Sequence, residues 1–403
     1  MSKEKIVIYE QKDLPASYSK WTNILLIVGV ILAVSSYFMD PERAAFASLV
    51  AFMFSVSIGM GSMFLIAIEH SSGAIWSVPF RRVTEYLTNV LYIAPILAIP
   101  VIISLFSHDF NIYHWAHVDE VAKDAILSKK ASYLNTSSFM IRFIVIWLLN
   151  VIFKFLLVGS SFKQDKSGDQ KISKKNAFYS AIYVAIFAIS VTIYSIDFMM
   201  SLEPHWFSTM YGVYFFAGTF STVMAMLTLY VLYFNENKML IEGIRSDHYY
   251  SLGGWMFAFT AFWAYIAFSQ FMLIWYANLP EETFWFMPRM TGIWAYVSIG
   301  LMFIKFIVPF GLLIQRNSKS DPSRLKLASY WIIVAHIYDL YWLIYPTYSG
   351  MEDGANPIFG WHEIGFIILA IGLIMAAVKM GSKSKNHIPI GDPKLERGLN
   401  FHL

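Results

Sequence analysis

Cysteine is absent from this 403-residue chain. That removes disulfides, thiolate-ligated iron–sulfur clusters and c-type haem attachment from its repertoire. Charge is scarce as well: Asp, Glu, Lys and Arg make up 14% of the residues, against about 25% in soluble domains. No Walker, dinucleotide-binding or zinc-protease signature is present, so nucleotide and hydrolytic chemistry have no motif to rest on. The start, MSKEKIVIYEQKDLPASYSK, is polar. The first apolar run ends in Met39-Asp40-Pro41 rather than at a small-residue cleavage site, so no removable signal is expected.

What fills the chain instead is apolar. Hydrophobic residues make up 57% and mean hydropathy is +0.53. They fall into ten runs, at 21–38, 46–69, 86–106, 137–160, 177–200, 210–234, 254–278, 292–314, 326–348 and 358–380. A helix of about 20 residues crosses roughly 30 Å of hydrocarbon, so each run predicts a transmembrane span. The reading is an all-α polytopic bundle over 21–380, flanked by short segments 1–20 and 381–403. A β-barrel would show shorter, alternating segments.

Lys and Arg set the orientation. They number 22 on the side of the N-terminus and five on the other, while Arg142, Lys154 and Lys305 fall inside spans. The positive-inside rule then places both termini in the cytoplasm. The basic link 161–176 and the Lys-rich tail read as solvated, flexible cytoplasmic segments that meet phospholipid, not nucleic acid. In the outer link 107–136, Val118, Val121, Ala122, Ala125 and Ile126 keep helical spacing, which predicts a short surface helix.

Ionisable groups inside a bilayer are costly and mark either a functional site or a structural pair. Arg142 lies five residues and Asp197 three residues from the outer ends of spans 4 and 5. Consecutive antiparallel spans bring such groups to one level, so they form either a buried pair or a proton-path or quinone-polarising pair. His336 and Asp339 are three apart on span 9 and share a face. Lys305 of span 8 lies at the same depth, so the three predict one buried polar set, either a neutralised structural network or a proton relay. Gln270 adds a polar group to the outer half of span 7, and His362 and Glu363 open span 10. Lys154 and Glu69 sit near inner ends and are expected to snorkel. Haem ligation needs facing His pairs, and only His336 is deep in a span.

The link MSLEPHWFSTMYGVYFF, residues 200–216, concentrates polar types in a greasy setting. Pro204 ends a helix, and Trp206, Phe207 and Tyr211 are residue types that anchor helix ends at the headgroups. An anchor needs neither Glu203 nor His205. An outer-rim quinone site, using a hydrogen-bond donor and a group that titrates near neutrality, or a docking surface for an outer subunit would use both.

Several stretches resemble a family. EHSSGAIWSVPFRRVTEYL (69–87) resembles the NrfD-like, polysulfide-reductase-type membrane anchors. SIDFMMSLEPHWFSTMYGVYFFAG (195–218), TGIWAYVSIGLMFIKFIVPFGLLI (291–314) and HIYDLYWLIYP (336–346) look closer still to the membrane subunits of alternative complex III. This is a bacterial quinol:cytochrome c oxidoreductase, and the chain length matches the smaller of its two NrfD-like subunits. The resemblance covers essentially the whole membrane domain. It implies a non-redox subunit of a quinol-oxidising respiratory electron-transport complex in the bacterial inner membrane, with a quinone site or a proton-translocation path in the outer half. The implied partners are a larger NrfD-like subunit, an iron–sulfur/molybdopterin-like subunit and haem-c subunits on the outer face, and a terminal oxidase. Haem and clusters would lie on those partners. The alternatives are a purely structural membrane anchor and a secondary transporter. The latter should show Gly/Pro breaks at matching places in two halves, whereas Pro95, Pro100 and Pro309 form no such pair.

Overall fold

The computed structural model describes residues 12–107, 110–348 and 358–403. Residues 1–11 of the expected N-terminal segment and 108–109 of the long link lie outside them. Among the described residues, ten helices are long and apolar enough to cross a membrane: α1 Ala16–Met39, α2 Pro41–Ser72, α3 Val78–Ser104, α4 Thr136–Ser167, α5 Lys171–Leu202, α6 Tyr211–Glu236, α7 Ser246–Ala277, α8 Gly292–Leu313, α9 Pro322–Thr347 and α10 Trp361–Ser382. No strand occurs among the described residues. The chain is an all-α, multi-pass membrane protein.

Local chemistry sets the helix limits. Asp40 caps α2 by accepting from Arg43 N at 2.9 Å, Pro41 fills its first turn, and Gly73 ends it at φ +70°. Asn135 accepts from Ser138 N at 2.8 Å to start α4. Asp321 and Pro322 do the same for α9. Two spans are interrupted. Pro95 and Pro100 divide α3 into short helical pieces, and α8 carries a π-helical turn at Phe303–Ile307. Pro309 cannot donate to the carbonyl of Lys305 four residues back, and the wider turn takes up that break.

Burial separates axis from rim. About nine-tenths of the apolar stretch of α2 and α6 is enclosed (94% and 89%), against 22% in α1 and α8. The two therefore form the axis, with α2 packed against α3, α5, α9 and α10, and α6 against α7 and α9. Helices in lipid associate through close backbone approach at small residues. The α1–α10 pair shows this: a Cβ on Gly29 would lie 2.6 Å from Leu369, and one on Gly365 would lie 2.6 Å from Leu32.

Several expectations need correction. The link 161–176 is mostly helix, because α4 runs to Ser167 and α5 starts at Lys171, so its lysines decorate helix ends. The tail is packed, not flexible. Ile388 and Leu395 bury against Val78, Asp392 pairs with Arg81, and His387 bridges Tyr86 Oη (3.1 Å) and Lys12 O (2.6 Å). Lysine content hid those few anchoring residues. The surface helix is two short ones, Val118–Val121 and Ala125–Lys130, the second capped by Asp124. Lys154 and Glu69 do not snorkel. Lys154 is buried, donating to Asn89 Oδ1 at 2.7 Å over the Tyr92 ring, and Glu69 is 4% exposed.

Candidate functional site

The deepest polar cluster joins α2, α6, α8 and α9. Lys305 Nζ lies 2.8 Å from both His336 Nδ1 and Asp339 Oδ2. Tyr214 donates to Asp339 Oδ1 at 2.5 Å. On the other side His336 Nε2 is 3.0 Å from Ser57 Oγ, itself 3.1 Å from Thr219 Oγ1. All six residues are at most 5% exposed. An ammonium only donates, so Nδ1 accepts and the ring proton sits on Nε2. That proton goes to Ser57, which donates onward to Met53 O at 2.9 Å. The lysine, histidine and aspartate thus meet as their depth and spacing predict. Gly218 makes room for them, since a Cβ there would lie 3.1 Å from His336 and 3.2 Å from Lys305 Nζ.

Tyr214 connects this network to a cavity. The cavity encloses about 420 Å³ between α6, α7, α8 and α9, and Tyr211, Tyr214, Trp263, Gln270, Trp285 and Trp342 contribute to its wall. The wall reaches the lipid-facing surface through Phe268, Ile299 and Met302, which are 64%, 55% and 49% exposed. Ligand sites of this kind are mostly apolar with a few convergent polar groups. Here those are the Gln270 amide and the Tyr211 hydroxyl, neither with a hydrogen-bond partner among the described residues, and Tyr214, whose proton already points at Asp339. Trp263 Nε1 is buried and also lacks a partner.

Arg289 stands behind this wall. It is 1% exposed, stacks 3.4 Å over Trp285, and donates to Trp285 O (2.6 Å) and Leu343 O (3.0 Å). No carboxylate pairs with it among the described residues. Burial pushes its pKa down to about 9, which leaves it charged at neutral pH.

The rim residues disperse instead of converging. Arg142 Nε meets Asp197 Oδ2 at 2.6 Å, and Tyr133 donates to Asp197 Oδ1 at 2.9 Å. Glu363 pairs with Arg43 (2.7 Å), accepts from Tyr345 (2.7 Å) and caps α10 through Gly360 N (2.6 Å). His362 Nδ1 lies 2.8 Å from Ser36 Oγ. His205 bonds Asp124 at 2.5 Å on the exposed surface. Burial raises the pKa of Glu203, with Arg289, His114 and His205 as the opposing charges. Trp206 is no headgroup anchor: it is 1% exposed, stacked 4.5 Å from Trp285, and donates to Glu282 O at 3.0 Å. Tyr211 is equally buried, so of the three aromatics only Phe207 is exposed.

Ser57, Tyr214 and Arg289 were not foreseen, and Tyr211 was expected only as a headgroup anchor. The signal for the tyrosines is their spacing, three apart at the head of α6, which puts both on one face. The comparisons add no identification: no family model matches the chain, and no curated protein is found similar to it.

Proposed function

We propose that the chain is a non-redox membrane subunit of a quinol-oxidising electron-transfer complex of the NrfD-like, alternative complex III type. In this reading it lies in the bacterial cytoplasmic membrane with both termini inside, and its cavity takes a quinone head. The carrying observation is the joining of an apolar, lipid-accessible cavity to a buried Tyr214–Asp339–Lys305–His336 chain. The Gln270 amide can donate to one quinone oxygen. Tyr214 can take a proton from a bound hydroxyl while passing its own to Asp339, which requires no redox centre on this chain. Electrons leave to haem- or cluster-bearing partners.

A quinone bearing a photoreactive azide tests the cavity in the purified complex. Its label is expected within residues 263–271 or 298–302. A label confined to other segments, or to other subunits alone, would sink the quinone reading. Periplasm-active reporters fused after residue 120 should light up and those after residue 390 stay dark, with the reverse pattern overturning the orientation.

A structural anchor is the second reading. It is favoured by the neutralisation of four buried charges, Glu363, Asp197, Lys305 and Asp339, within the closed pairs Arg43–Glu363, Arg142–Asp197 and Lys305–Asp339.

A further inference from the structure

A second polar concentration lies at the opposite end of the bundle, where the tail packs. Both carboxyl oxygens of Glu69, His70 Nε2, Ser77 Oγ, Arg81 Nε, Arg82 Nε and Thr84 Oγ1 are buried without a hydrogen-bond partner among the described residues. The ions around Glu69 are paired with one another. Arg81 meets Asp392 and Glu85, while Arg82 meets Glu85 and Asp165. Two guanidinium groups thus already face three carboxylates, and no ion pair forms to Glu69. Arg81 is the main compensating charge near Glu69, Glu85 and Asp392 oppose it, and the Ser77 hydroxyl stands beside the carboxyl without meeting hydrogen-bond geometry.

Two further buried hydroxyls lie on the face of α2 that carries Glu69, with Leu65, Ile66 and Ile58 between them on the same side. Ser62 and Ser55 follow at seven-residue steps, each about 10.5 Å of helix, and the drift of about 20° per step keeps them nearly aligned. A helical serine in an apolar setting can bond the carbonyl four residues back, as Ser57, Thr222 and Thr228 do here. The Ser55 and Ser62 hydroxyls do not; both are buried and unpartnered. An uncompensated carboxylate in such a place is expensive, whereas buried water ordinarily serves polar groups that protein does not.

We propose that Glu69 is a proton-carrying carboxyl in a hydrated chain that enters the bundle from the tail end and runs along α2 through Ser62 and Ser55. Its ligands are water and an exchangeable proton. The site lies on a different face of α2 from Ser57 and stands or falls independently of the quinone cavity.

Infrared difference spectroscopy of the full chain in lipid nanodiscs tests this directly. A neutral-carboxyl C=O band should be present in the wild type, be lost in Glu69→Gln and move in Glu69→Asp. On transfer to D2O that band should shift promptly. Ser62→Ala should slow the shift several-fold, while Ser71→Ala, on the exposed end of α2, should not. Should Glu69→Gln fail to accumulate, the shifted band of Glu69→Asp supplies the assignment. Absence of the band, a band that does not exchange, or exchange indifferent to Ser62→Ala would each overturn the proposal.

Discussion

Asp339→Asn is the most informative single change, because Asp339 holds both Lys305 and Tyr214. At 2.8 Å and an effective dielectric of about 20, two unit charges attract by roughly 6 kcal/mol. Desolvation of both ions offsets much of that. Removing one partner nevertheless strands the other, which costs about 3–5 kcal/mol in buried pairs. Asp339→Asn and Lys305→Met should therefore each destabilise the bundle by that order, while Lys305→Met/Asp339→Asn together should cost less than either alone. The double-mutant cycle should show a coupling of about 2 kcal/mol or more, read from reversible denaturant unfolding in mixed micelles. Additivity within about 0.5 kcal/mol, as for independent sites, would refute the pairing argument. Quinol turnover on the same preparations separates the two roles of the network. Turnover that survives in folded Asp339→Asn complex rules out the relay, and loss of turnover with the complex intact supports it.

Three further outcomes follow from particular contacts. Gln270→Leu removes one neutral hydrogen bond, about 0.5–1.5 kcal/mol, so quinone affinity by equilibrium titration should fall about two- to tenfold with stability unchanged. Gly218→Ala should lower the unfolding free energy by about 1–3 kcal/mol, since a Cβ 3.1 Å from His336 overpacks the network. The gain of about 0.5–1 kcal/mol from replacing a helical glycine is too small to reverse the sign. His387 lies outside the spans, and burial lowers its pKa. Its neutral form therefore holds the tail fully above the unfolded value of about 6.5, and that contribution is lost as pH falls from there towards the lower folded value. Hydrogen exchange across residues 383–403 should accelerate on acidification, and His387→Asn should flatten the dependence.

Depth was legible in the sequence, and azimuth was not. Run length gave all ten spans because hydrocarbon thickness fixes helix length regardless of neighbours. Depth also brought Arg142 to Asp197, and Lys305 to His336 and Asp339, because consecutive antiparallel helices share a coordinate that counting residues supplies. Gln270 sits in the C-terminal half of α7, buried among aromatic residues, and its company there depends on rotation about the helix axis. The apolar moment carries little of that rotation in lipid, where outer faces are as hydrophobic as inner ones. For the same reason Trp206 read as an interfacial anchor although it stacks inside on Trp285, since aromatic residues suit both places. Glu69 shows the reverse error. A carboxyl three residues from a helix end looks free to reach water, but α3 and the packed tail close over that end. Sequence separation hides this covering, because Asp392 stands more than 300 residues from the Arg81 it pairs with. A polar residue near a span end is therefore interpretable only once the segment that covers that end is known, and in this chain that segment is the tail that composition alone assigned to solvent.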